Sequence, residues 1–147
     1  VAVNVVTSID IGRPRAEVAA FACDPDNATT WYRNIKAVSW KTDKPLAVGS
    51  QVEFTAQFMG RQLSYTYEVR ELVGGERFVM STAEGPFPME TTYTFADSPG
   101  GGTTMTLRNR GEPSGFPKLM APILAEAMRR ANRKDLAALK AALDPGG

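Results

Sequence analysis

Residues 119–143 read LMAPILAEAMRRANRKDLAALKAAL, and this stretch decides the fold. Met120, Ile123, Leu124, Ala127, Met128, Ala131, Leu136, Leu139 and Leu143 recur at helical spacing, while Arg129, Arg130, Arg133 and Lys134 gather on the other side. Pro122 falls in the first turn or kinks the start. Asp144-Pro145-Gly146-Gly147 ends the run. About 25 helical residues at ~1.5 Å each span nearly 40 Å. A compact domain of 147 residues is itself roughly 40 Å across. One rod therefore crosses the whole molecule.

The pattern that precedes the rod has a different period. Val3, Val5, Thr7, Ile9 and Ile11 share one phase of a strand. Gly12 breaks it, and Pro14 and Glu17 open a short helix that turns Val18, Phe21 and Ala22 to one face. Asp24-Pro25-Asp26-Asn27 reads as a cap and a second short helix, closed by Trp31 and Tyr32. Six more strands follow. They run through Val38 and Trp40, Val52 to Phe58, Leu63 to Val69, Phe78 and Met80, Phe87 to Phe95, and Thr103 to Asn109. Turn residues separate them, among them Gly60-Arg61, Gly74-Gly75 and Pro99-Gly100-Gly101-Gly102. Short turns between alternating strands imply an antiparallel meander with one apolar and one wet face. The expected architecture is α+β and a single domain over 1–147: a curved seven-stranded antiparallel sheet around a long C-terminal helix, with two short helices between strands 1 and 2.

Seven strands at ~4.8 Å spacing make a sheet roughly 30 Å wide, which one helix of about 10–12 Å diameter cannot cover. The sheet must curl, and a gap is expected between it and the rod. Candidate linings are the inward-phase side chains: Trp40, Phe54, Phe58, Tyr65, Tyr67, Phe78, Met80, Phe87, Met89, Thr91, Tyr93, Met105, Leu107 and Asn109 from the strands, with Met120 and Leu124 from the helix. A mostly apolar hollow with a few polar groups is the usual composition of a small-molecule site. The alternative is a solid core in which the same rings interlock.

Composition excludes several chemistries. Histidine is absent, which removes the commonest general base and transition-metal ligand. A single cysteine permits no internal disulfide and no thiolate zinc site. Cys23 reads as a small buried hydrophobe. Lys+Arg 17 against Asp+Glu 16 gives a net charge of +1, so no nucleic-acid partner is expected and the basic helix face reads as solvated. Gly100-Gly101-Gly102 lacks the Lys-Ser/Thr ending of a phosphate loop. No apolar run is long enough for stable membrane insertion. Val1 to Ile11 carries Asn4, Thr7, Ser8 and Asp10 without a basic leader, and a cytoplasmic location is the default expectation. No metal and no cofactor are expected. The strand carboxylates Glu53, Glu68 and Glu90 fall on the wet phase, and Glu84 lies beside the Gly85-Pro86 break.

The order strand, two short helices, six strands and long helix resembles the START-like or SRPBCC superfamily, also described as helix-grip or Bet v 1-like. Its landmarks are Ile11 to Val18 with Phe21, Asp24-Pro25-Asp26-Asn27 with Trp31, Val48-Gly49-Ser50, Thr92 to Phe95, Gly102 to Leu107, and Leu119 to Leu124. The nearest branch resembles the polyketide cyclase/dehydrase family. The resemblance implies a pocket for a lipid, sterol, polyketide or hormone, and in some members cyclisation or dehydration of a polyketide.

The expected function is binding of a hydrophobic small molecule, with transport or sequestration as its use. The enzyme alternative is a cyclase/dehydrase-like reaction in which Tyr65, Tyr67, Tyr93 and Asn109 orient the substrate and stabilise an enolate oxygen. The inward strand phases supply no acid or base for it. A third reading is a regulatory module acting through the basic helix face. Oligomeric state is not legible from one chain.

Overall fold

The computed structural model describes residues 3–58, 60–85, 88–112 and 118–144. Seven strands form one antiparallel sheet in the order β1-β7-β6-β5-β4-β3-β2. They are β1 (Val3–Ile11), β2 (Ile35–Trp40), β3 (Gln51–Phe58), β4 (Arg61–Val73), β5 (Arg77–Glu84), β6 (Met89–Asp97) and β7 (Thr103–Gly111). Strands β2 to β7 form a meander, and β1 pairs with β7 in unbroken register from Val3↔Gly111 to Ile11↔Thr103. The first strand is thus stitched to the last. The curved seven-stranded sheet around a long helix is the expected architecture.

Alternation does what the sequence demands of it. In β1, Val3, Val5 and Ile11 are buried while Asn4, Val6, Ser8 and Asp10 are exposed. Between β1 and β2 lie α1 (Arg15–Ala22), a 3-10 turn (Pro25–Asn27) and α2 (Ala28–Trp31). Pro14 sits just before α1 in an extended conformation, so its missing N–H costs nothing there. The Asp24 side chain caps the 3-10 turn by accepting from the Asp26 N–H. Val18 and Trp31 then reach the core, at 0% and 1% exposure.

The expected rod is α3 (Ala121–Leu143), 23 residues long, with Pro122 in its first turn. Leu119 and Met120 lie before it, in a 3-10 turn (Lys118–Met120), and Leu119 points outward. Helix α3 packs along β1 and against α2. Its far end is tied to the β1–α1 turn. Gly12 N–H donates to Asp144 Oδ2 at 2.9 Å, Arg13 Nε donates to the Leu143 carbonyl at 2.7 Å, and Lys140 Nζ donates to the Asp10 carbonyl at 2.7 Å. A lysine in the last turn also suits the negative end of the helix dipole.

The core is unevenly filled. Val18, Leu136, Leu139, Phe95, Met105 and Leu107 belong to one packed cluster. Leu139, Met105 and Leu107 have no exposure at all. Full burial is reached at Val18 on α1 and at Leu136 and Leu139 on the second half of α3. The first half of α3 stands over a different stretch of the sheet, and there the packing opens.

Candidate ligand cavity

A cavity of about 170 Å³ lies between the first half of α3, the α1–α2 segment and the inner face of β3 to β7. Two registers build its ring-lined wall. Phe54 pairs with Tyr65 across β3 and β4, and Phe78 pairs with Tyr93 across β5 and β6. Both strand pairs keep one phase inward, so the rings converge. Tyr65 and Tyr67 stack with centroids 5.9 Å apart, and Phe78 meets Tyr93 at 5.4 Å. An apolar void of roughly 150 Å³ admits a benzene-sized molecule, whereas drug-sized ligands occupy about 300–1,000 Å³. The space suits one substituted ring or a short chain.

Of the residues expected to line it, Phe54, Tyr65, Tyr67, Phe78, Met80, Met89, Thr91, Tyr93, Asn109 and Leu124 do so. Met105 and Leu107 do not. They share the inward phase of β7 with Asn109, but both are fully buried in the core cluster that also holds Leu136, Leu139 and Val18. Met120 also stays outside the lining, because the chain is in the 3-10 turn there and α3 has not begun. Trp40 stays out as well. Its Nε1–H donates to Asp26 Oδ1 at 2.9 Å, and Lys44 Nζ sits 5.2 Å from the ring, which holds the indole at the edge of the core. The Phe58 side chain and Phe87 lie outside the described residues.

The hollow has polar groups of two kinds. One kind is satisfied internally. Tyr32 and Tyr93 hydroxyls are 2.6 Å apart, and Thr91 Oγ1 donates to Asn109 Oδ1 at 2.6 Å. The Tyr67 hydroxyl is hydrogen-bonded to Thr91. Burial pushes the Tyr67 phenol up to about 12, and the Tyr32, Tyr65 and Tyr93 phenols well above their ordinary value. Burial likewise pushes the Cys23 thiol up to about 12. These groups are neutral hydrogen-bonding surface.

The other kind comes from α3. Leu124, Met128, Asn132, Asp135 and Leu139 follow one another at steps of three and four, so all five lie on the inner stripe. Asn132 is 5% exposed and Asp135 2% exposed, and both line the cavity. Asp135 Oδ1 accepts from the Arg33 N–H at 2.9 Å. Desolvation nevertheless raises its carboxyl from 3.8 to about 6, with the Arg33 bond opposing the rise. The Asn132 amide nitrogen is buried without a hydrogen-bond partner. A buried acid is therefore present, contrary to the reading of the strand phases alone. The signal for it was the polar pair falling on the apolar stripe of the helix. Tyr32, carried by the end of α2, is a further lining group the strand pattern could not supply.

Other candidates fall away. Glu84 is exposed and does not line the cavity. On the outer face of α3, Arg129 and Arg130 both pair with Glu126, at 2.7 Å and 3.4 Å. A groove of about 690 Å³ beside them is larger and more open, lined by Ile123, Ala127 and Pro122 together with the charged Arg33, Glu126 and Lys134, and has no aromatic wall. Gly100 and Gly101 have φ of +90° and +89°, as a glycine hairpin requires. Among the described residues no group of three or more His, Cys, Asp or Glu could hold a metal ion. Among the same residues no helix is long and apolar enough to cross a membrane.

A curved sheet gripping one long helix over an apolar hollow defines a helix-grip protein of the START-like, SRPBCC kind, a cavity-forming, ligand-binding superfamily. The sequence profile of the polyketide cyclase/dehydrase and lipid transport family matches residues 2–144, and the chain belongs to that family. Solved structures agree on the fold. Protein TTHA0849 from Thermus thermophilus is similar at 19% identity and a TM-score of 0.83, over 95% of this chain and 96% of that one. A START superfamily protein from Mycobacterium smegmatis is similar at 13% identity and 0.81, over 97% of both chains. The Zhui aromatase/cyclase from Streptomyces sp. R1128 is similar at 14% identity and 0.80, over 100% and 99%. At such identities the likeness is one of fold. No protein of curated function matches the sequence.

Proposed function

We propose that the chain binds a hydrophobic small molecule, of about the size of one substituted ring or a short chain, between α3 and the sheet. The observation that carries the reading is the aromatic and methionine wall of Phe54, Tyr65, Tyr67, Phe78, Met80 and Met89 around about 170 Å³ of space. A void of this kind forfeits dispersion contacts that a ligand restores. The family description, which couples cyclase/dehydrase with lipid transport, supports a polyketide-like or lipid-like ligand. The use of binding is transport or sequestration. A thermal-shift screen of single-ring aromatics and short-chain lipids, joined to native mass spectrometry of protein purified from cells, tests it. A ligand at a hundred times its Kd should stabilise the fold by ~2.7 kcal/mol. Failure of every such compound to raise the melting temperature would end the reading.

Asp135 favours a second reading, chemistry on the bound molecule. A carboxyl with a pKa of about 6 is suited to exchange protons near neutral pH. The neutral phenols would hold a developing oxyanion by hydrogen bonds. Turnover of an aromatic polyketide precursor that survives in Asp135→Asn would dispose of it.

A further inference from the structure

Among the described residues, three side-chain polar atoms are buried and unpaired: Thr7 Oγ1, Trp31 Nε1 and Asn132 Nδ2. Asn132 is the one of these that lines the cavity. Its χ2 torsion is soft, so the amide nitrogen can turn into the space its side chain already borders. An unpaired buried donor is costly, and it is cured by whatever brings an acceptor.

Charge adds a second constraint. The described residues that line the cavity include Asp24 and Asp135 but no lysine or arginine. A carboxylate entering such a space would lose its hydration and touch no cation in the lining; positive charge acts from outside the lining, from Arg33 on Asp135 and from Arg61 on Tyr65. It would also stand in the same small hollow as Asp135. A neutral oxygen meets neither penalty.

We propose that Asn132 and Asp135 make a polar end to the cavity that selects an uncharged ligand bearing an acceptor oxygen, a carbonyl or hydroxyl on an apolar body, and rejects anionic ligands such as free carboxylic acids. Asn132 donates to the ligand oxygen. Asp135, held by the Arg33 N–H, sets the sign of the charge that can enter and accepts from a ligand hydroxyl where one is present. This deepens the binding reading above and rests on it.

Three probes of one ring size separate the claims: ethylbenzene, acetophenone and benzoate. Their dissociation constants are measured by NMR titration on the native chain, on Asn132→Leu and on Asp135→Asn. The ratio of acetophenone to ethylbenzene affinity should fall about tenfold in Asn132→Leu, since transfer of each probe from water cancels in that ratio. Benzoate should bind the native chain at least about tenfold more weakly than acetophenone, and Asp135→Asn should narrow that gap. An unchanged ratio in Asn132→Leu with ethylbenzene still bound overturns the polar site and leaves the cavity reading standing. Benzoate binding to the native chain as tightly as acetophenone also overturns it. No binding of ethylbenzene to the native chain overturns both. Should Asn132→Leu fail to fold, Asn132→Ala gives the same ratio.

Discussion

Asp135→Asn should remove a pH dependence of stability that the native chain carries. The carboxyl is raised from 3.8 to about 6 on folding. Between those values the folded protein holds a proton that the unfolded chain has released. Stability from this group is therefore greatest below about pH 4 and is lost as pH rises through about 6. This is the reverse of a salt-bridged carboxylate, because burial here opposes the charged form. The full rise corresponds to ~3 kcal/mol, and the part falling between about pH 4.5 and pH 7.5 is ~2 kcal/mol. Asparagine keeps a carbonyl oxygen for the Arg33 N–H, which bonds Asp135 Oδ1 at 2.9 Å, and has no charge to bury. Urea unfolding of both proteins at the two pH values gives the difference directly, and all other titrating groups cancel. The stability of the variant relative to the native chain should rise by ~2 kcal/mol between about pH 4.5 and pH 7.5. A difference that does not change with pH, or a variant that is weaker at the higher pH, would refute the reasoning.

Other expectations follow from single contacts. Tyr93→Phe strands the Tyr32 hydroxyl, now 2.6 Å from its partner, and should cost ~1–3 kcal/mol in chemical unfolding, while Tyr32→Phe/Tyr93→Phe together should lose clearly less than the sum; additive losses would count against the pair. Gly102→Ala places a Cβ 2.6 Å from the Ile11 backbone carbonyl and should destabilise by ~1–3 kcal/mol. Gly12→Ala meets only the movable Asp144 carboxylate, at 2.7 Å, and should cost less in the same thermal melts; equal losses would contradict the difference. Ala56→Leu grows into the cavity from β3 and should weaken ligand binding at least about tenfold; binding that survives unchanged would place the ligand elsewhere.

The fold was legible because two periods in the sequence do not overlap. Alternation in β1 and β3 to β7 named the inward face of the sheet, and the three-and-four spacing from Leu124 to Leu143 named the rod. What alternation cannot tell is where along a strand the helix closes onto it. Met105, Leu107 and Asn109 share one phase of β7, yet the first two are fully buried away from the hollow while the third reaches it. Met120 lies outside the lining for a related reason. It sits one step before α3 begins, so helical spacing does not apply to it. Trp40 is expected in the cavity lining because it is large and apolar, but Asp26 offers its indole N–H an acceptor at the periphery. Asn132 and Asp135 are hard to read from sequence because polar residues usually face solvent. Their positions at steps of four and seven from Met128 put them on the buried stripe regardless of polarity.

The methionines give the most direct measurement of the central claim, that the hollow under α3 is where a small apolar molecule binds. Met80, Met89 and Met128 line it, whereas Met105 is sealed in the packed cluster and Met120 lies outside the lining. Methyl-labelled methionine NMR, with ethylbenzene titrated in, reports on all of them at once. The expected result is saturable shifts at Met80, Met89 and Met128 with Met105 and Met120 little changed. Shifts confined to Met120, or none at any lining methyl, would contradict the account.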